Sequence, residues 1–122
     1  MKDRKLSLST LDPALRVAVE ATRDKKALDI VVLDLRGIAS FTDYFLICTG
    51  GSHRQLVTIA DEIEEKLREA KRKPSHLEGY PRGDWILMDY VDFVVHVFTP
   101  TSRSYYNLER LWGDAKRLAV AS

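Results

Sequence analysis

The stretch "DYFLICTGGSHRQLVTIADEIEEKL" sets Gly50-Gly51-Ser52 between an apolar run and a helical pattern. A glycine turn joining strand to helix is where many proteins hold a phosphate, because free backbone amides point out of the helix start. The matching chemistry is nucleotidyl transfer, in which a Gly-Ser pair opening a helix touches the triphosphate. That chemistry also needs carboxylates converging on magnesium, usually at i and i+2 of one strand so that both point to one side. The acids do not comply. Asp89 and Asp92 have a turn between them, Asp29 and Asp34 lie on opposite faces of their strand, and no expected strand carries an acidic i,i+2 pair. The loop also lacks the lysine and spacing of a P-loop and the third glycine of a dinucleotide fingerprint. Its simplest reading is a tight connection with Ser52 as helix N-cap.

Other constellations are no stronger. Cys48 is the only cysteine, which excludes an intramolecular disulfide and a cysteine-based metal cluster. It shares a strand face with Tyr44 and Leu46, where cysteine is most often a small buried apolar residue. His53, His76 and His96 have no metal-ligand spacing, and no nucleophile elbow is present. The expectation is a protein without catalytic residues, metal or cofactor, and not an enzyme.

The elements that position these residues follow from periodicity. Asp12-Pro13 makes an N-cap and first helical position, and Leu11, Leu15, Ala18, Val19 and Thr22 follow at helical spacing, so a first helix runs to about Lys26. "DIVVLDL" and "DYFLICTG" are strands. A second helix from Ser52 carries Leu56, Ile59, Ala60, Ile63, Leu67 and Ala70 on one side and acids with Lys66 and Arg68 on the other, until Pro74 forbids continuation. Arg68 and Lys71 to Lys73 read as a solvated helix end balancing the dipole. An edge strand in "SHLEGYPRGD", two strands in "WILMDYVDFVVHVF" and one or two short helices in "SRSYYNLERLWGDAKRL" complete the order α-β-β-α-β-β-β-α. The expected fold is α/β: a mixed β-sheet of about five strands with helices packed on it.

Composition is compatible with one domain. The 122 residues, 45% apolar and 30% charged, suffice for a core without staples. Residues 1–10 read as a loose tail before a domain over 11–117. A net charge of +1 argues against a general polyanion binder. No apolar run has membrane length and "MKDRKLSLST" has no signal-peptide core, so the expected location is cytoplasmic, with no membrane contact.

The C-terminal hairpin is the most informative segment. With Tyr90-Val91 as a two-residue loop, Asp89 faces Asp92, Leu87 faces Val94 and Trp85 faces His96. Ile86, Met88, Phe93, Val95 and Val97 form a wholly apolar face, which must be core. The other face mixes Trp85, Leu87 and His96 with two facing aspartates, an arrangement costly for folding and typical of an interface anchor with a polar surround. Packing of Trp85 under the C-terminal helix is the competing reading. Leu108, Leu111 and Trp112 have the spacing of a buried stripe, with Trp112 expected in the core.

In order along the chain, the D-h-h-h-L-D-h strand, "FTDYF", the "CTG" turn, the W-x-L-x-D strand, "VVHVF" and "LERLWGDA" resemble the ribosomal silencing factor (Iojap) family from about Asp12 to Ala115. Val91 stands where the family has a turn glycine, and Gly51 and His53 depart from its C-T-G-T-S. The resemblance implies a fold related to nucleotidyltransferases but without their catalytic carboxylates. It further implies a translational repressor that binds ribosomal protein uL14 on the joining face of the large ribosomal subunit and blocks the small subunit sterically. A part in large-subunit assembly and homodimer formation also go with the family. Carried onto this chain, the contact surface is Trp85, Leu87 and Asp89, joined by His96 and Tyr106. The rivals are a small nucleotide-binding enzyme and an RNA-binding assembly factor. Near-neutral charge disfavours the latter, and no specific nucleic acid contact is expected.

Overall fold

Asp12 and Pro13 open α1 (Pro13–Asp24), with the Asp12 carboxylate accepting the Ala14 N–H at 3.2 Å. Ala14, Leu15, Ala18, Val19, Ala21 and Thr22 turn inward from it. The computed structural model describes residues 6–121. Of the segment read as a loose tail, residues 1–5 lie outside the described residues. Leu8–Thr10 forms a 3₁₀ turn, and Leu6 and Leu8 pack half-buried against the core.

β1 (Leu28–Asp34) and β2 (Tyr44–Thr49) pair antiparallel, and β2 runs parallel to β5 (Phe93–Phe98). β2 and β5 are buried along their whole length, so both read as near-continuous apolar runs, broken by His96 in β5 and ended by Thr49 in β2, rather than alternating ones. Between them come α2 (His53–Glu69), the short edge strand β3 (His76–Glu78) and β4 (Trp85–Asp89). The mixed sheet has the order β3-β4-β5-β2-β1-β6. Its sixth strand, β6 (Lys116–Val120), lies antiparallel to β1 where the sequence reading continued a helix, so the sheet extends past residue 117. The preceding chain forms two short helices, α3 (Pro100–Tyr106) and α4 (Leu108–Leu111). No described helix is long and apolar enough to cross a membrane.

The two sheet faces are covered unequally. α1 and α2 pack on the inner face, where Leu46, Cys48, Ile86, Met88, Phe93, Val95 and Val97 join Leu56, Ile59 and Ile63. Cys48 is fully buried there, and burial pushes its thiol up to about 12. Ala70, assigned to the same helical stripe, is instead exposed as the C-cap of α2. The outer face carries a smaller core of Val31, Leu33, Leu35, Phe45, Ile47, Val94 and Phe98. Among the described residues, the β1–β2 loop reaches over it through half-buried Ala39, and α4 with the chain that follows it through half-buried Leu108, Trp112 and Ala115.

The hairpin register differs from the sequence expectation. The two-residue turn is Val91-Asp92, closed by the Tyr90 N–H donating to the Phe93 carbonyl at 2.9 Å. Trp85 therefore pairs with Phe98, Leu87 with His96 and Asp89 with Val94. The cause is Tyr90, only 2% exposed and stacked on Phe93 at 5.2 Å, whose ring a turn position would have put in water. The slip is even, so every side chain keeps its predicted face and only its opposite neighbour changes. The facing pair of aspartates does not exist. Asp92 sits in the turn 3.5 Å from Arg72, and the Asp89 carboxylate accepts the Val91 N–H at 2.8 Å.

That turn forces Val91 to φ +73°, a left-handed conformation in which a β-branched side chain is strained. Its side chain is 60% exposed and has little packing to lose. Val91→Gly should therefore stabilise the fold by roughly 1 kcal/mol, raising the melting temperature by a few degrees. An unchanged or lower melting temperature would show that the turn carries no such strain.

Candidate functional site

The Gly-Gly-Ser turn is built as a connection. The Ser52 hydroxyl accepts the Gln55 N–H at 3.2 Å, and the Gln55 side-chain oxygen accepts the Gly51 N–H at 2.7 Å. The Gly50 N–H donates to the Phe98 carbonyl at 2.9 Å. The Gly50, Gly51 and Gln55 amides are thus engaged within the chain. Gly50 packs closely on α2, since a Cβ there would stand 2.9 Å from Leu56 Cδ1. Among the described residues, no three His, Cys, Asp or Glu side chains converge as a metal site would require.

The outer sheet face gathers the aromatic residues. Gly79, at φ +91°, lets the chain pass close to β4: a Cβ there would lie 2.0 Å from the Trp85 carbonyl oxygen. Trp85 is half-buried at the start of β4, its ring stacked 5.0 Å from Phe98 and tilted against Tyr106 at 4.5 Å. Its indole N–H donates to His96 Nδ1 at 3.0 Å. The two residues are diagonal rather than opposite, which remains within reach of large side chains. Three contacts thus fix the indole while leaving part of it at the surface.

His96 is placed differently from the expectation that it contributes to the contact surface. It is 3% exposed and lies beneath Trp85 and against Phe45, whose ring is 4.4 Å away. The bond from Trp85 makes Nδ1 an acceptor and puts the imidazole proton on Nε2, for which the described residues provide no partner. Burial pushes its pKa down to about 3. His96 is a neutral support for Trp85 and not a surface group.

The other named residues spread along the same face. Leu87 is half-buried next to Trp85 on the same side of β4. Asp89 lies at the far end of the strand with its carboxylate on the turn. Tyr106 closes α3, 49% exposed. Trp85, Leu87 and Tyr106 are therefore brought together, Asp89 forms a charged end, and His96 is underneath.

Sequence reasoning missed the other half of the patch. Phe41, in a segment read only as a loop, is 57% exposed, with Trp112 and Phe45 each 6.0 Å from its ring. Leu111, assigned to a buried stripe, is 70% exposed, because α4 is one turn long and sets Leu108 and Trp112 against the sheet. Trp112, expected in the core, is half-buried with its ring at 90° to Phe45. Two phenylalanines flanking "FTDYF" were the available signal for this half.

Comparison with known proteins supplies the family. A family model described as "Ribosomal silencing factor during starvation" matches residues 9–122. The ribosomal silencing factor RsfS of Bacillus subtilis is 48% identical over 101 residues, covering 83% of this chain and 86% of that one. A crystal structure of a protein from Chromobacterium violaceum superposes with a TM-score of 0.81 at 34% identity, covering 96% of this chain and 95% of the other. A mouse protein named "Mitochondrial assembly of ribosomal large subunit protein 1" is 31% identical over 97 residues, covering 77% of this chain and 42% of its own. The chain belongs to the ribosomal silencing factor family.

Proposed function

We propose that this ribosomal silencing factor docks on the large ribosomal subunit through the outer sheet face, with Trp85 as its anchor, and so blocks the small subunit sterically. The partner surface is ribosomal protein uL14 on the joining face, and the work is done in the cytoplasm, without catalysis. Family membership supports a regulator of the ribosome, and the mouse relative's name supports a tie to large-subunit assembly. The observation that carries the reading is Trp85 itself: a large aromatic pinned by Phe98, Tyr106 and His96, yet only half-buried. A rigid, amphipathic ring with a charged carboxylate farther along its strand has the character of an interface hot spot, since docking has little rotamer entropy left to remove. A net charge of +1 suits a protein contact better than a phosphate-driven one. Self-association as a homodimer belongs to the same proposal.

The test is sedimentation of the purified protein with separated subunits. It should travel with the large subunit and not with the small one, and adding it before mixing should lower the fraction of joined ribosomes. Equal binding to both subunits, or binding that leaves joining intact, would refute the proposal.

A further inference from the structure

α4 is a single turn with no buried residue, too short to hold itself by backbone bonds alone. It follows α3 through Asn107, which adopts a left-handed conformation at φ 46° and ψ 58°. This elbow decides where Tyr106 and Leu111 stand on the outer face. What fixes it is an ion network at the ends of the strands. The guanidinium of Arg103 on α3 donates from Nε and Nη2 to the two carboxylate oxygens of Glu109 on α4, at 3.1 and 2.9 Å. Its Nη1 donates to the Asp29 carbonyl of β1 at 2.6 Å and to the Thr49 hydroxyl of β2 at 2.8 Å. Arg117 of β6 adds a bond to Glu109 at 3.1 Å. The Arg103 and Glu109 side chains are only 12% and 16% exposed. One planar fork therefore ties both short helices to two strands, a geometry that a lysine cannot reproduce.

Resting on the docking reading above, we propose that Arg103 and Glu109 are positioning residues for the docking surface. They act through the elbow, holding Tyr106 on Trp85 and α4 over the sheet, without touching the partner. The inner core, built from α1, α2 and the opposite face, does not depend on them. Loss of the brace loosens a local unit and leaves the rest of the fold intact.

Glu109→Gln tests this, because it removes the charge at the α4 end and leaves Arg103 on Thr49 and Asp29. Docking to isolated large subunits should weaken about ten-fold. Amide exchange at Leu111 and Trp112 should quicken while Ile59 and Ile63 in α2 exchange as in the wild type. Arg103→Lys should act in the same direction despite its retained charge. Undiminished docking of Glu109→Gln beside a binding wild type overturns the assignment. So does a docking loss in which the α2 amides quicken equally, since that marks a general stabiliser. A wild type that fails to bind overturns the docking reading together with this assignment, and is recognised because every sample, not only the variants, stays off the subunit.

Discussion

Trp85→Ala is expected to weaken binding to the large subunit by about 2–4 kcal/mol, enough to abolish cosedimentation at micromolar concentrations. The magnitude follows from what the indole already has. Its underside is occupied by His96 and Phe98 and its flank by Tyr106, so a partner completes the burial of a ring whose orientation is settled beforehand. Truncation also removes the donor to His96 Nδ1 and part of the outer core, so far-UV circular dichroism and melting must stay close to wild type. Trp85→Phe separates the two effects: it keeps ring stacking on Phe98 while losing the indole N–H. Asp89→Lys probes the sign of the partner's charge. A ribosomal protein surface offers basic side chains that a carboxylate can pair with, so the change should weaken docking. Attachment through RNA phosphate would respond oppositely, tightening with the added base and falling steeply with salt. Because the Asp89 carboxylate also accepts the Val91 N–H in the strained turn, the melting of this variant must stay close to wild type for its docking to be read. A folded Asp89→Lys protein that binds more tightly would show that the assigned surface is wrong.

The parts legible in the sequence were those fixed by local chemistry. Asp12-Pro13 and Ser52 start helices because their side chains and backbone meet orphan amides within one turn. The inner face of the hairpin was readable because period-two burial survives an even register slip. What failed depended on contacts far away in sequence. Tyr90 is drawn out of the turn by the inner core, and Val91 is left in a conformation its own type disfavours. β6 has a weak local signal: of its residues only Leu118 and Val120 turn inward, and Lys116 and Arg117 suit an exposed edge as well as a helix. Its pairing with β1 spans most of the chain. The fate of Leu111 turned on the length of α4, a single turn that sets Leu108 and Trp112 against the sheet and leaves Leu111 outside.

Lowering the pH should destabilise the protein through His96 before Asp34 and Glu109 lose their contribution. The imidazole is neutral and buried, with a pKa pushed down to about 3 from an ordinary 6.5 in the unfolded chain. Its neighbours are the rings of Trp85, Phe45 and Phe98, which offer an imidazolium no counter-charge. Between these two values the unfolded state binds a proton that the folded state does not, so unfolding takes up protons and stability falls as pH falls. The loss is fully absent above about pH 7.5, reaches about 2 kcal/mol at pH 5 and about 3 kcal/mol at pH 4. Asp34, held below its ordinary value by Arg36, and Glu109, held down by Arg103, have the same sign but a lower window. Their contribution is present above the unfolded carboxylate values and disappears only as pH drops through the depressed folded ones. The range from pH 6.5 to 5 therefore separates the histidine from these two acids. His96→Asn keeps an acceptor for the Trp85 N–H and cannot titrate. Denaturant unfolding across that range should give a wild-type stability that falls toward acid and a His96→Asn stability that is flatter, whatever its absolute value. Parallel slopes for the two proteins would mean that the imidazole gains its proton inside the fold, and that the site beneath Trp85 is wetter than its geometry indicates.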